Sequence, residues 1–121
     1  MTTLSDTQVW GRVWITRNGK NFIGRGRVEL LKQIGETGSI SKAAKSMKMS
    51  YKAAWDGVDA MGHAFGQPMV TTSTGGKGGG GAQLTPKAHR VIAAFAQLEL
   101  QHAQMLQTLT DEFNVALNQQ D

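Results

Sequence analysis

Beyond Thr85-Pro86, the residues Val91, Phe95, Leu98, His102, Met105 and Leu109 recur at spacings of 4-3-4-3-4, and Phe113 and Leu117 continue the same face. Threonine followed by proline supplies an N-cap and a first helical residue that needs no N–H partner. An apolar 4-3 spacing held over about four heptads is the pattern of a helix that pairs with another. A chain of 121 residues has enough material for one modest core. Such a core cannot cover about thirty helical residues along one side. Residues 86–117 are therefore expected to form a dimerisation helix. Val91, Phe95, Leu98, His102, Met105 and Leu109 would face a second copy of the chain.

The whole chain, residues 1–121, reads as a single domain. Val9, Gly11, Val13 and Ile15 alternate with Trp10, Arg12, Trp14 and Thr16, and Phe22-Ile23 resume the pattern after Asn18-Gly19. Asn-Gly suits the two positive-φ positions of a tight hairpin turn, so residues 9–23 are expected to form a β-hairpin. Val28, Leu31 and Ile34 then mark a helix that Gly38 is placed to stop. Ser39 offers an N-cap to a short second helix, and Ser50 caps a third that runs to about Phe65. Residues 68–84 read as a two-stranded wing. Its β-prone pieces, 69–73 and 82–84, flank a run of glycines around Lys77.

Charge is unevenly placed along this chain. Residues 12–52 carry ten Lys/Arg against Glu29 and Glu36, a net +8, whereas residues 91–121 carry four acids and no Lys or Arg. Such polarity suits one surface facing phosphate and another kept away from it. The absence of cysteine rules out a disulfide framework and thiolate metal sites. His63, His89 and His102 stand apart, and no spacing suggests a carboxylate pair or a nucleophile–base set. Neither an enzyme, a cofactor nor a metal site is expected. No stretch approaches the roughly 20 apolar residues of a membrane span, and residues 1–7 carry no signal-peptide core, so a cytoplasmic protein is expected.

Residues 39–65 meet the demands of a helix-turn-helix: two short helices, a tight turn, small residues where the helices cross, and a polar outer face on the second. Ala43 and Ala44 permit close approach, while Ile40, Met47 and Met49 close the core beneath the turn. Ala54, Val58 and Met61 point inward. Ser50, Tyr51, Lys52, Trp55 and Asp56 are left outward, with Ser41 and Lys42 on the preceding helix. Lysine can donate to guanine or phosphate, serine can serve base or backbone, and tyrosine adds an apolar ring to its hydroxyl. Two roles stay open at this stage. Trp55 is either a contact residue or a flank residue packed into the core; Asp56 either accepts from a cytosine or orders Lys52 one turn away.

The glycine run is a poor phosphate cradle of the P-loop kind, because Lys77 is followed by glycine rather than Ser or Thr. Between two short strands after a helix-turn-helix, it is better placed as a wing that carries Lys77 to flanking phosphates or the minor groove.

Three strings make the chain resemble a known family: Gly38-Ser39-Ile40-Ser41-Lys42-Ala43-Ala44, then Met49-Ser50-Tyr51-Lys52-Ala53-Ala54-Trp55-Asp56, then Thr74-Gly75-Gly76-Lys77-Gly78-Gly79-Gly80-Gly81-Ala82-Gln83-Leu84-Thr85. Over residues 9–109 it is similar to the N-terminal domain of the molybdate-responsive ModE regulators, a winged helix-turn-helix like that of LysR-type regulators. The resemblance implies a mainly α fold with an N-terminal β-hairpin, a two-stranded wing and a long C-terminal dimerisation helix. It further implies a homodimer on double-stranded, palindromic operator DNA, with Ser50, Tyr51 and Lys52 in the major groove. Nothing up to Asp121 resembles the family's C-terminal molybdate-binding domains, so sensing by that route is not expected of these residues. The polar tail, residues 118–121, has the look of a natural end. Two other classes are compatible with parts of the sequence: a protein-docking module built on the same two helices, or an oxyanion sensor using the glycine loop.

Overall fold

The computed structural model describes residues 7–73 and 81–119. Eight elements follow in order: β1 (Ile15–Arg17), β2 (Lys20–Ile23), α1 (Arg25–Thr37), α2 (Ile40–Ser46), α3 (Tyr51–Phe65), β3 (Val70–Ser73), β4 (Gly81–Leu84) and α4 (Pro86–Asn118). They fall into two compact units. One is Trp14–Phe95; the other joins the residues up to Val13 with those from Ala96 onward.

In the larger unit, β1 and β2 pair antiparallel, with Arg17 opposite Lys20 across the turn. Asn18 and Gly19 both take positive φ, 52° and 77°, as the right-handed strand twist requires of a two-residue loop. The strand begins at Ile15, whereas the alternation predicts one from Val9. The physical reason lies in the smaller unit, where the Val9 N–H donates to Thr110 Oγ1 at 2.9 Å and Asn114 Nδ2 donates to the Thr7 carbonyl at 3.4 Å. Gly11 in the same segment lies close enough to α4 that a Cβ there would sit 3.3 Å from His102 Nε2. Residues 7–13 therefore use their polar groups and their smallest residue against side chains of α4 rather than in a ladder.

Three hydroxyls start three helices. Ser39 Oγ accepts from the Lys42 N–H at 3.1 Å, Ser50 Oγ from Ala53 at 3.0 Å and Thr85 Oγ1 from Ala88 at 3.2 Å. Each satisfies one of the donors left open at a helix N-terminus, worth about 1 kcal/mol. Thr85 also donates to the Pro68 carbonyl at 2.7 Å, tying the start of α4 to the segment that leads into β3.

The core of the larger unit is Ile23, Leu30, Leu31, Ile34, Met61 and Met69, all essentially inaccessible. Each such side chain contributes about 1.5–3 kcal/mol by leaving water. Ala43, Ala44 and Ala54 are equally buried, which is what lets α2 and α3 cross closely. Gly35 does the same for the wing: a Cβ there would fall 2.8 Å from Leu84 Cδ1. The Ala82 N–H donates to the Gly38 carbonyl at 2.9 Å, so β4 is pinned directly to the end of α1. The strands β3 and β4 pair from Val70 opposite Leu84 to Ser73 opposite Gly81.

Candidate nucleic-acid interface

The burial of α3 divides it cleanly. Ala54, Gly57, Val58 and Met61 face the core, leaving Tyr51, Lys52, Trp55, Asp56, Asp59 and His63 outward. The cap on Ser50 fixes where the outward face begins. That cap also commits one lone pair of Ser50 Oγ to the backbone, leaving the O–H donor and one lone pair for a ligand. Tyr51 is 55% exposed, and the Lys52 side chain is 84% exposed. Ser41 and Lys42 are exposed on α2, as is Lys45 one turn on.

Asp56 is engaged by Lys52: Nζ to Oδ2 is 2.9 Å. This contact is the geometry that the ordering role requires. Trp55 meets neither simple expectation. It is 46% exposed and lines a cleft of about 460 Å³ together with Val58, Gly62, Pro68, Met69 and Val70.

Two features of this face were not anticipated from the sequence. Asp59 sits one turn beyond Trp55 and pairs with His63 at 3.4 Å, so the outward face turns acidic after its first turn. The i, i+4 spacing of aspartate and histidine was the available signal. The cleft beside Trp55 depends on where the wing strand lies and left no such trace. The cationic character is therefore concentrated on α2, the turn and the first turn of α3, where a recognition helix places its base contacts. Not all basic residues belong to that surface. Arg27 donates to the Phe22 carbonyl at 2.8 Å and lies over the Phe22 ring, a structural role. Lys77 lies outside the described residues.

The anticipated seam of α4 is divided by the structure. Leu98, Met105 and Leu109 are exposed, together with Phe113 and Leu117. Val91 is partly covered, and His102 is partly covered beside Gly11. Phe95 is 2% exposed and belongs to the core of its own chain, so it cannot present its ring to a partner. An apolar residue at helical spacing is equally suited to a domain core, and periodicity alone does not separate the two.

Two helices crossing at buried alanines, a capped third helix with a polar first turn, and a two-stranded wing pinned beside them define a winged helix-turn-helix DNA-binding domain. The model of the bacterial regulatory helix-turn-helix proteins of the lysR family matches residues 26–89, and the chain belongs to that family. Over 103 residues it is 48% identical to the molybdenum-pterin-binding protein MopB of Rhodobacter capsulatus, covering 85% of this chain and 38% of MopB. It is 44% identical over 91 residues to the transcriptional regulator ModE of Haemophilus influenzae, covering 75% and 36% of the two chains. With the dual regulator ModE of Escherichia coli it shares 39% identity over 99 residues, covering 82% and 38%. The chain thus spans little more than a third of these relatives.

Among solved structures, the DNA-binding domain of CbnR in complex with DNA superposes with a TM-score of 0.53 at 18% identity, covering 79% of this chain and all of that one. The BenM DNA-binding domain in its DNA complex gives 0.51 at 15% identity, covering 72% and 92%. At these identities the likeness is one of fold. As a member of that family, the module is a regulatory DNA-binding domain. No described helix is long and apolar enough to cross a membrane.

Proposed function

We propose that this chain binds operator DNA in a sequence-specific manner as a cytoplasmic homodimer, in the control of genes for molybdenum or related oxyanions. The observation that carries the reading is the first turn of α3. There Ser50, Tyr51 and an exposed, oriented Lys52 stand together at the end of a basic α2. In this reading Lys52 donates to guanine acceptors, Tyr51 and Trp55 contact sugar or thymine methyl, and Asp56 aims Lys52. Ser41 and Lys42 would hold phosphate from α2, and Lys77 would do so from the wing. Leu98, Met105 and Leu109 would form the centre of the dimer contact, with Val91 and His102 at its margins. Two-fold related α3 helices would then meet half-sites about 34–36 Å apart. The molybdenum link rests on what the relatives are called and on the identity shared with them.

Selection of bound genomic fragments by the purified protein, with and without molybdate, tests this reading. The expected result is a palindromic site with one-turn half-site spacing. Enrichment of no sequence would contradict it and favour a protein-docking role. Enrichment only in the presence of molybdate would show that these residues sense the anion themselves.

A further inference from the structure

Among the described residues, Asn18 and Lys48 are the two non-glycine residues with positive φ. Asn18 occupies a hairpin turn that requires it, and asparagine tolerates that region well. Lys48, at φ 57°, does not have that tolerance. Its position is well defined by the backbone. The Met49 N–H donates to the Ala44 carbonyl at 3.0 Å and the Lys48 N–H to the Lys45 carbonyl at 3.1 Å. These are the two bonds of a Schellman motif closing α2, with Lys48 at the left-handed position where glycine is usual. The turn of a helix-turn-helix often contains glycine for the same reason. Here a long, charged side chain occupies the place at a conformational cost.

That side chain is exposed, and its ammonium has no ion-pair or hydrogen-bond partner among the described residues. It stands two residues before the Ser50 cap, at the edge of the polar turn of α3. A strained residue in such a place is a pointer to function. We infer that Lys48 is a backbone-phosphate contact, held at the rim of the groove that receives α3. A flexible point charge just outside the base-reading turn suits phosphate, which lines both sides of a groove, better than a base edge. Lys42, Lys45, Lys48 and Lys52 then form one cationic track running from α2 through the turn into α3. This inference rests on the proposed binding of DNA.

Three variants separate the charge from the backbone: Lys48→Gly, which relieves the left-handed strain and removes the charge; Lys48→Asn, which tolerates the conformation without charge; and Lys48→Arg, which keeps the charge. Binding to a labelled duplex carrying the selected site, and to a scrambled duplex, is titrated at several salt concentrations, alongside thermal unfolding. Lys48→Gly should raise the unfolding midpoint by about 2–6 °C. Both uncharged variants should weaken binding about threefold to tenfold on both duplexes alike. Their salt slope should fall by about 0.9 for each copy of Lys48 engaged. Lys48→Arg should bind like the parent. Unchanged affinity and slope for Lys48→Gly and Lys48→Asn would overturn the contact, as would a loss confined to the selected duplex. If the parent itself binds neither duplex, the DNA reading falls and this one with it, a result distinct from a parent that binds and variants that match it.

Discussion

Lys52 and Asp56 face each other one turn apart on the exposed side of α3, with Nζ 2.9 Å from Oδ2. As a contribution to stability this pair is minor, since exposed i, i+4 pairs are worth about 0.3–0.5 kcal/mol. Its geometry is of greater consequence. A lysine held by a neighbouring carboxylate loses part of its rotational freedom before it reaches DNA, and its reach along the groove is narrowed. The pair therefore favours selectivity over raw affinity. Asp56→Ala should leave thermal stability within about 0.5 kcal/mol of the parent. It should raise affinity for scrambled DNA while reducing preference for the operator, as read by competition titration. Equal preference in the variant and the parent would show that Asp56 does not aim Lys52.

The capping hydroxyl of Ser50 gives one prediction for stability and one for DNA binding. Ser50→Ala removes the acceptor for the Ala53 N–H at the start of α3 and should cost about 1 kcal/mol, measured by urea unfolding with an unchanged m value. Ser50→Asp should retain most of that stability, because aspartate caps as well as serine. It should still weaken DNA binding by placing a negative charge where the face begins.

Gly35 and Gly26 share α1 but have opposite surroundings. A Cβ at Gly35 would meet Leu84 at 2.8 Å, whereas at Gly26 it would meet nothing within 4 Å. Gly35→Val should destabilise by about 1–3 kcal/mol through overpacking against the wing. Gly26→Ala should stabilise by up to about 1 kcal/mol through helix propensity. Thermal unfolding of the two variants decides it, and matching signs would contradict the packing described for α1 and β4.

For the dimer, sedimentation equilibrium of Leu109→Glu and Met105→Glu is informative. Both residues are exposed, so neither change should disturb the fold. Each should shift the protein toward monomer and weaken operator binding, with far-UV circular dichroism retained. Phe95→Ala makes the contrast: a buried ring costs about 3–5 kcal/mol on truncation, and the loss should appear as unfolding rather than as dissociation.

The parts of this molecule that sequence made legible are those decided by local chemistry. The hydroxyls of Ser39, Ser50 and Thr85 announce helix starts, Asn18-Gly19 announces a turn, and Ala54, Val58 and Met61 mark an inward stripe at helical spacing. What escaped depends on distant partners. Val9 alternates with its neighbours like a strand residue, yet its N–H is taken by a threonine 101 positions away. Phe95 and Leu98 share one periodicity, but only the first is buried in its own chain. Trp55 packs and protrudes at once because the wing strand lies beside it. Lys48 looks like one more surface lysine until its backbone is seen.

In the proposed function, the first turn of α3 reads bases. Anisotropy titration of the parent and of Lys52→Ala on the selected operator and a scrambled duplex, at matched salt, tests it most directly. The parent should prefer its operator by at least about 10³-fold. On the operator, Lys52→Ala should lose about 1–3 kcal/mol, roughly fivefold to 150-fold, while falling only slightly on scrambled DNA. A parent that binds both duplexes equally, or a Lys52→Ala variant that keeps the parent's preference, would contradict it.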